Sequence, residues 1–176
     1  MFLYRLIDSV PEMPYFLLAG VYVLFNPLGS ALHVLAVTFF YMLTSLTVGL
    51  VLKALFKTVR PVRYACIPMA RYDVPSLHTI IAVGGVPYVY FINPAYCLIT
   101  IPLALLYMYS RVKMSFHTER AVIVGALIGL VIGSLFGLSL WRVDLSGYEG
   151  LFAFLFFLFP VSATLYRLRF IGVSVA

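Results

Sequence analysis

Residues 118–140 read TERAVIVGALIGLVIGSLFGLSL, and after Arg120 no charge appears until Arg142. An uninterrupted apolar run of about twenty residues matches a bilayer core of about 30 Å when it is helical. Only helices and closed barrels satisfy their own backbone groups in lipid, and barrel strands need runs about half as long. The stretch therefore predicts a transmembrane helix. Gly125, Gly129, Gly133 and Gly137 recur at every fourth position. They form a small-residue stripe on one helix face, suited to close packing against a neighbour.

The rest of the chain has the same character. Hydrophobic residues make up 64% of its 176 positions and charged residues 10%, with a mean hydropathy of +1.07. A soluble domain carries about a quarter charged residues, so a water-soluble globule is excluded. Charges and Pro/Gly/Asn breakers divide the sequence into six spans, near residues 13–25, 31–56, 75–93, 95–109, 118–140 and 151–166. The first ends at Asn26-Pro27-Leu28-Gly29, the second before Arg60-Pro61, and the third at Asn93-Pro94. A charged loop, 62–74, separates spans two and three, and a polar loop, 142–150, separates spans five and six.

The expected fold is all-α: a polytopic membrane helix bundle with about six transmembrane helices, one domain over residues 13–176. Residues 1–12 (MFLYRLIDSVPE) mix charge and apolar residues unlike a cleavable signal, and read as an interfacial segment. Cys66 and Cys97 read as two free thiols without metal-ligand spacing.

With six spans, eleven of the twelve basic residues fall on the side of the termini, and only Arg142 lies opposite. Setting aside Lys53, Arg60 and Arg111 leaves eight. The positive-inside rule makes that side cytoplasmic.

Three segments converge on the basic side. Lys53 and Arg60 are seven apart, two helical turns on one face, with Lys57 near it; taken alone they read as snorkelling residues. Pro75-Ser76-Leu77-His78 opens the third span, with Pro75 suited to the first helical position and the helix N-terminus suited to phosphate. Ser110-Arg111, five residues on, is followed by His117, across the loop joining spans four and five. Two histidines and three cations at three helix ends are costly in a membrane unless they serve a ligand. His33, in the middle of span two, reads as an interhelical hydrogen-bonding residue, and Trp141 as an interfacial anchor.

Lys53-x₆-Arg60-Pro61, Pro75-Ser76-x-His78 and Ser110-Arg111-x₅-His117 resemble the three-part signature of the type-2 phosphatidic acid phosphatase superfamily, which includes membrane lipid phosphatases and vanadium haloperoxidases. The resemblance covers about residues 53–129. It implies that Lys53, Arg60 and Arg111 bind phosphoryl oxygens, with Ser76, Leu77 and Ser110 beside them. It also implies that His117 attacks phosphorus and that His78 acts as general acid. No metal or other cofactor is implied, since the cations supply the positive field. The implied partners are a lipid phosphate and the bilayer, not nucleic acid; oligomeric state is left open.

Two departures stand out. The family usually has glycine where Leu77 stands, and an aspartate four residues after the nucleophile, where this chain has Ala121. Glu119 would point away from His117 on a helix and reads as a first-turn acid. Asp73 or a backbone carbonyl is left to orient the histidine. The expected function is phosphate removal from phosphatidic acid, a phosphatidylglycerophosphate-like lipid or an isoprenyl diphosphate in the cell membrane. Alternatives are a phosphotransferase using the same histidine, a non-catalytic lipid-phosphate binding or transport protein, and an ion channel or transporter.

Overall fold

The computed structural model describes residues 21–61 and 72–158. The interfacial segment expected at 1–12, most of the first span, most of the charged loop with Cys66, and the end of the sixth span lie outside these residues. Within them the fold is helical: α1 (Leu28–Phe56), α2 (Leu77–Ile92), α3 (Cys97–Lys113), α4 (Glu119–Ser139) and α5 (Glu149–Leu158). Helix also covers 21–25 before the Asn26-Pro27 break, and a 3₁₀ turn, Pro94–Tyr96, leads into α3. Among the described residues three segments, Leu28–Phe56, Pro94–Lys113 and Glu119–Ser139, are long and apolar enough to cross a membrane. The protein is a helical membrane protein.

The element ends have local causes. Thr118 caps α4, its hydroxyl accepting the Ala121 N–H, as an N-cap threonine does. Asn93 caps the 3₁₀ turn through Ala95 N–H. Three boundaries differ from the sequence expectation. Helix α1 stops at Phe56 because Lys57 adopts a left-handed conformation (φ 48°), so Arg60 lies beyond the helix and does not share a helical face with Lys53. Pro75 precedes α2 and is not its first helical residue; Ser76 is the N-cap. Helix α3 runs on to Lys113, placing Ser110 and Arg111 in its last turns and shortening the loop to His117.

Helices α2 and α4 make the most extensive contact, and the glycine stripe explains it. A Cβ on Gly129 would stand 2.4 Å from the Ile80 carbonyl oxygen, and one on Gly125 would stand 2.8 Å from that of Ser76. A Cβ on Gly133 would overlap the Gly84 carbonyl at 1.8 Å. Ser76, Ile80 and Gly84, four apart on α2, thus face Gly125, Gly129 and Gly133 backbone to backbone. This contact fixes the N-terminus of α2 beside that of α4.

Helix α1 is joined to α2 by stacked Tyr41 and Tyr88 rings, 5.0 Å between centroids. The Tyr41 hydroxyl donates to the Ile81 carbonyl at 2.7 Å. At the far end of the bundle His33 Nε2 meets the Leu140 carbonyl at 2.7 Å, with Trp141 stacked on its ring; the expected interhelical bond forms, but from the second turn of α1 and not from mid-span.

Candidate active site

The three basic segments meet at one end of the bundle. Lys53, in the last turn of α1, is 1% exposed, and its ammonium donates to the backbone carbonyls of Tyr72 and, at 2.9 Å, Asp73. A buried ammonium needs such acceptors. Thr58 holds the same segment: its carbonyl accepts the Asp73 N–H at 3.0 Å and its hydroxyl the Val74 N–H at 2.9 Å. The chain leaving α1 and the chain entering α2 are therefore tied together around Asp73.

Arg60 reaches the other wall, Nε donating to the Phe116 carbonyl at 2.7 Å. Arg111 is 2% exposed, with the Phe116 ring 5.6 Å from its guanidinium carbon. Its carbonyl receives the N–H groups of Phe116 and His117. This tight turn, with Ser115 in the left-handed region (φ 55°), brings His117 back over the end of α3.

His117 is buried, and its Nδ1 lies 2.7 Å from Asp73 Oδ1, also buried. The other carboxylate oxygen accepts the Thr118 hydroxyl, and both oxygens lie 3.4 Å from the Thr118 N–H. Burial holds the His117 pKa below its ordinary value near 6.5; the positive charge of Arg60 adds to this, and the Asp73 hydrogen bond opposes it. The ring is thereby kept neutral at pH 7, the form in which an imidazole nitrogen carries a lone pair. Since Nδ1 faces a carboxylate, the ring proton belongs on Nδ1 and the lone pair on Nε2.

The remaining candidates take varied positions. Ser76 is wholly buried; its N–H donates to the Ala121 carbonyl at 3.0 Å and its hydroxyl accepts from Thr79 at 2.9 Å. This N–H thus joins the start of α2 to α4. His78, half-buried, stands in the first turn of α2. The Leu77 side chain packs toward Gly49 of α1. Ser110 is buried and its hydroxyl donates to the Tyr107 carbonyl at 2.8 Å. Glu119 lies exposed in the first turn of α4. Thr58 and Thr118 were not legible as site residues. Their hydroxyls have no distinctive spacing, and only the folded loop brings them to Asp73.

One end of this helical membrane protein thus holds a buried, carboxylate-paired histidine within the field of Arg60 and Lys53. The chain belongs to the PAP2 superfamily, whose model matches residues 34–144, a range containing all three basic segments. Members are generally phosphatases, which supports a phosphoester hydrolase. No curated protein and no solved structure matches the chain.

Proposed function

We propose that the protein is an integral membrane lipid phosphate phosphatase that hydrolyses a phosphomonoester or diphosphate lipid through a phosphohistidine at His117. The substrate classes that fit are phosphatidic acid, a phosphatidylglycerophosphate-like lipid and an isoprenyl diphosphate. The observation that carries this reading is the His117 ring, engaged at Nδ1 by a buried carboxylate and standing within the field of Arg60 and Lys53.

In the first step Nε2 attacks phosphorus. An N–P bond forms as the bond from phosphorus to the lipid oxygen breaks, and the electron pair stays on that oxygen. Protonated His78 gives its proton to the departing oxygen. In the second step water attacks phosphorus while the N–P bond breaks. The electron pair returns to Nε2, His78 takes the water's proton, and inorganic phosphate leaves. Arg60, Arg111 and Lys53 offset the charge on the phosphoryl oxygens in both steps. A site at the ends of membrane helices leaves the lipid tail in the bilayer, and the basic side carrying it is assigned to the cytoplasmic face of the cell membrane. The non-catalytic alternative drew on the lack of a carboxylate partner for His117; with Asp73 beside the ring, that reading has less support.

The test is phosphate release from dioctanoyl phosphatidate, phosphatidylglycerophosphate and farnesyl diphosphate in detergent micelles. Wild type is expected to release phosphate from at least one, with His117→Ala inactive and His78→Ala slowed by ~10²–10⁴-fold. Equal rates for wild type and His117→Ala would sink the proposal.

A further inference from the structure

The family pattern leaves His117 without its usual carboxylate, since Ala121 stands four residues on. The geometry points to Asp73 as the residue that has taken over this work: a positioning residue, supplied by the segment in front of α2, that orients His117 from across the site. The inference rests on the phosphohistidine reading and deepens it.

Four features support the assignment. The carboxylate is in direct contact with the ring nitrogen that does not attack, 2.7 Å from Nδ1. It is buried at 2% exposure beside a 4% exposed histidine, where the pairing is little screened by water. Its backbone is clamped through Thr58 and Lys53, so the carboxylate is presented from a fixed base.

The fourth feature explains why Asp73 can replace a residue at position 121. Thr118 is the N-cap of α4, so position 121 is its third helical residue. An acid there reaches back to the N-cap N–H, as in a capping box. In this protein the Thr118 N–H lies 3.4 Å from both Asp73 oxygens, and the Thr118 hydroxyl donates to one of them. The Asp73 carboxylate thus meets the N-cap N–H that a carboxylate from position 121 would reach. Ala121 is wholly buried, and its carbonyl accepts the Ser76 N–H. The ends of α2 and α4 therefore meet at this backbone contact, with Asp73 facing the ring.

The assignment separates two kinds of loss. Asp73 holds the histidine and not the phosphoryl group, so its replacement should lower kcat and leave KM nearly unchanged. The experiment compares wild type, Asp73→Asn, Asp73→Glu and His117→Ala on the three lipid phosphates named above. It also records ¹⁵N spectra of histidine-labelled protein, with the His117 signal identified by its loss in His117→Ala.

Asp73→Asn is expected to lose ~10²–10⁴-fold in kcat, by analogy with a triad aspartate changed to asparagine, with KM within ~3-fold. Asp73→Glu, which keeps the charge, is expected to recover part of the rate. In wild type the His117 proton is expected on Nδ1; in Asp73→Asn it is shared with Nε2. A kcat for Asp73→Asn within ~3-fold of wild type, beside an inactive His117→Ala, overturns the role of Asp73 and leaves the His117 reading standing. Absence of release by wild type from all three lipids removes the reading beneath it. Should the asparagine variant fail to fold, the wild-type spectrum decides: a proton on Nδ1 supports the assignment and a proton on Nε2 overturns it.

Discussion

At the scale of single residues, the site is organised by the pairing of hydrogen-bond donors and acceptors in a buried place. Lys53 is the clearest case. Its ammonium holds the Tyr72 and Asp73 carbonyls, which gives it a structural task beside the phosphate-binding one the resemblance implies. Lys53→Met should therefore raise KM and also lower kcat, because the Asp73 segment loses its anchor; steady-state phosphate release separates the two effects. Thr118 likewise serves both the cap of α4 and Asp73. Thr118→Val should cost about 1 kcal/mol of stability from the cap, read as a lower melting temperature in detergent, and should slow turnover as well.

His117 provides a pH prediction. With its pKa below 6.5, chiefly through burial, the ring should stay neutral as pH falls from 7 through 6.5, and gain its proton only at lower pH. A ¹⁵N histidine titration checks this; protonation above pH 6.5 would contradict it. The partner of His117 was not fixed by sequence, because Asp73 lies 44 positions away and nothing in its neighbours marks the pairing. Spacing alone placed Lys53 and Arg60 on one helical face, since it carried no sign that Lys57 would turn left-handed.

At the scale of elements, the contact of α2 with α4 sets the site. The four-residue glycine period was legible because it leaves one helix face without side chains. Its partner was not, because Ser76 and Ile80 contribute backbone and not small side chains. Gly133→Ala places a methyl group on the Gly84 carbonyl and should destabilise the protein by about 1–3 kcal/mol through overpacking. Gly29→Ala, at a position with open space, should be neutral or slightly stabilising, as alanine favours helix over glycine. Thermal unfolding of both variants in detergent tests the contrast. An unchanged melting temperature for Gly133→Ala would mean that α2 and α4 do not meet at their backbones.

At the scale of the whole molecule, hydropathy and breakers revealed the helices because bilayer thickness and backbone satisfaction leave few options. The described spans begin and end within a few residues of the Pro, Gly and charged positions that mark them. The ends deviate where hydrogen bonds outweigh hydropathy, as where α3 runs on through Ser110 and Arg111 to Lys113. In the proposed topology, argued from charge asymmetry, the site faces the cytoplasm. With Cys66 and Cys97 replaced by serine, an impermeant maleimide should label Arg142→Cys in intact cells and Lys113→Cys only after permeabilisation; the reverse pattern would turn the protein over.

The central claim is that His117 carries the phosphoryl group. Its most direct measurement is rapid quenching during turnover of a ³²P-labelled lipid phosphate that the wild type hydrolyses, under conditions that preserve phosphohistidine, followed by peptide mapping. Label on the peptide containing His117, absent in His117→Ala, is the predicted result. Full turnover in His117→Ala, or label confined to another residue, would contradict it.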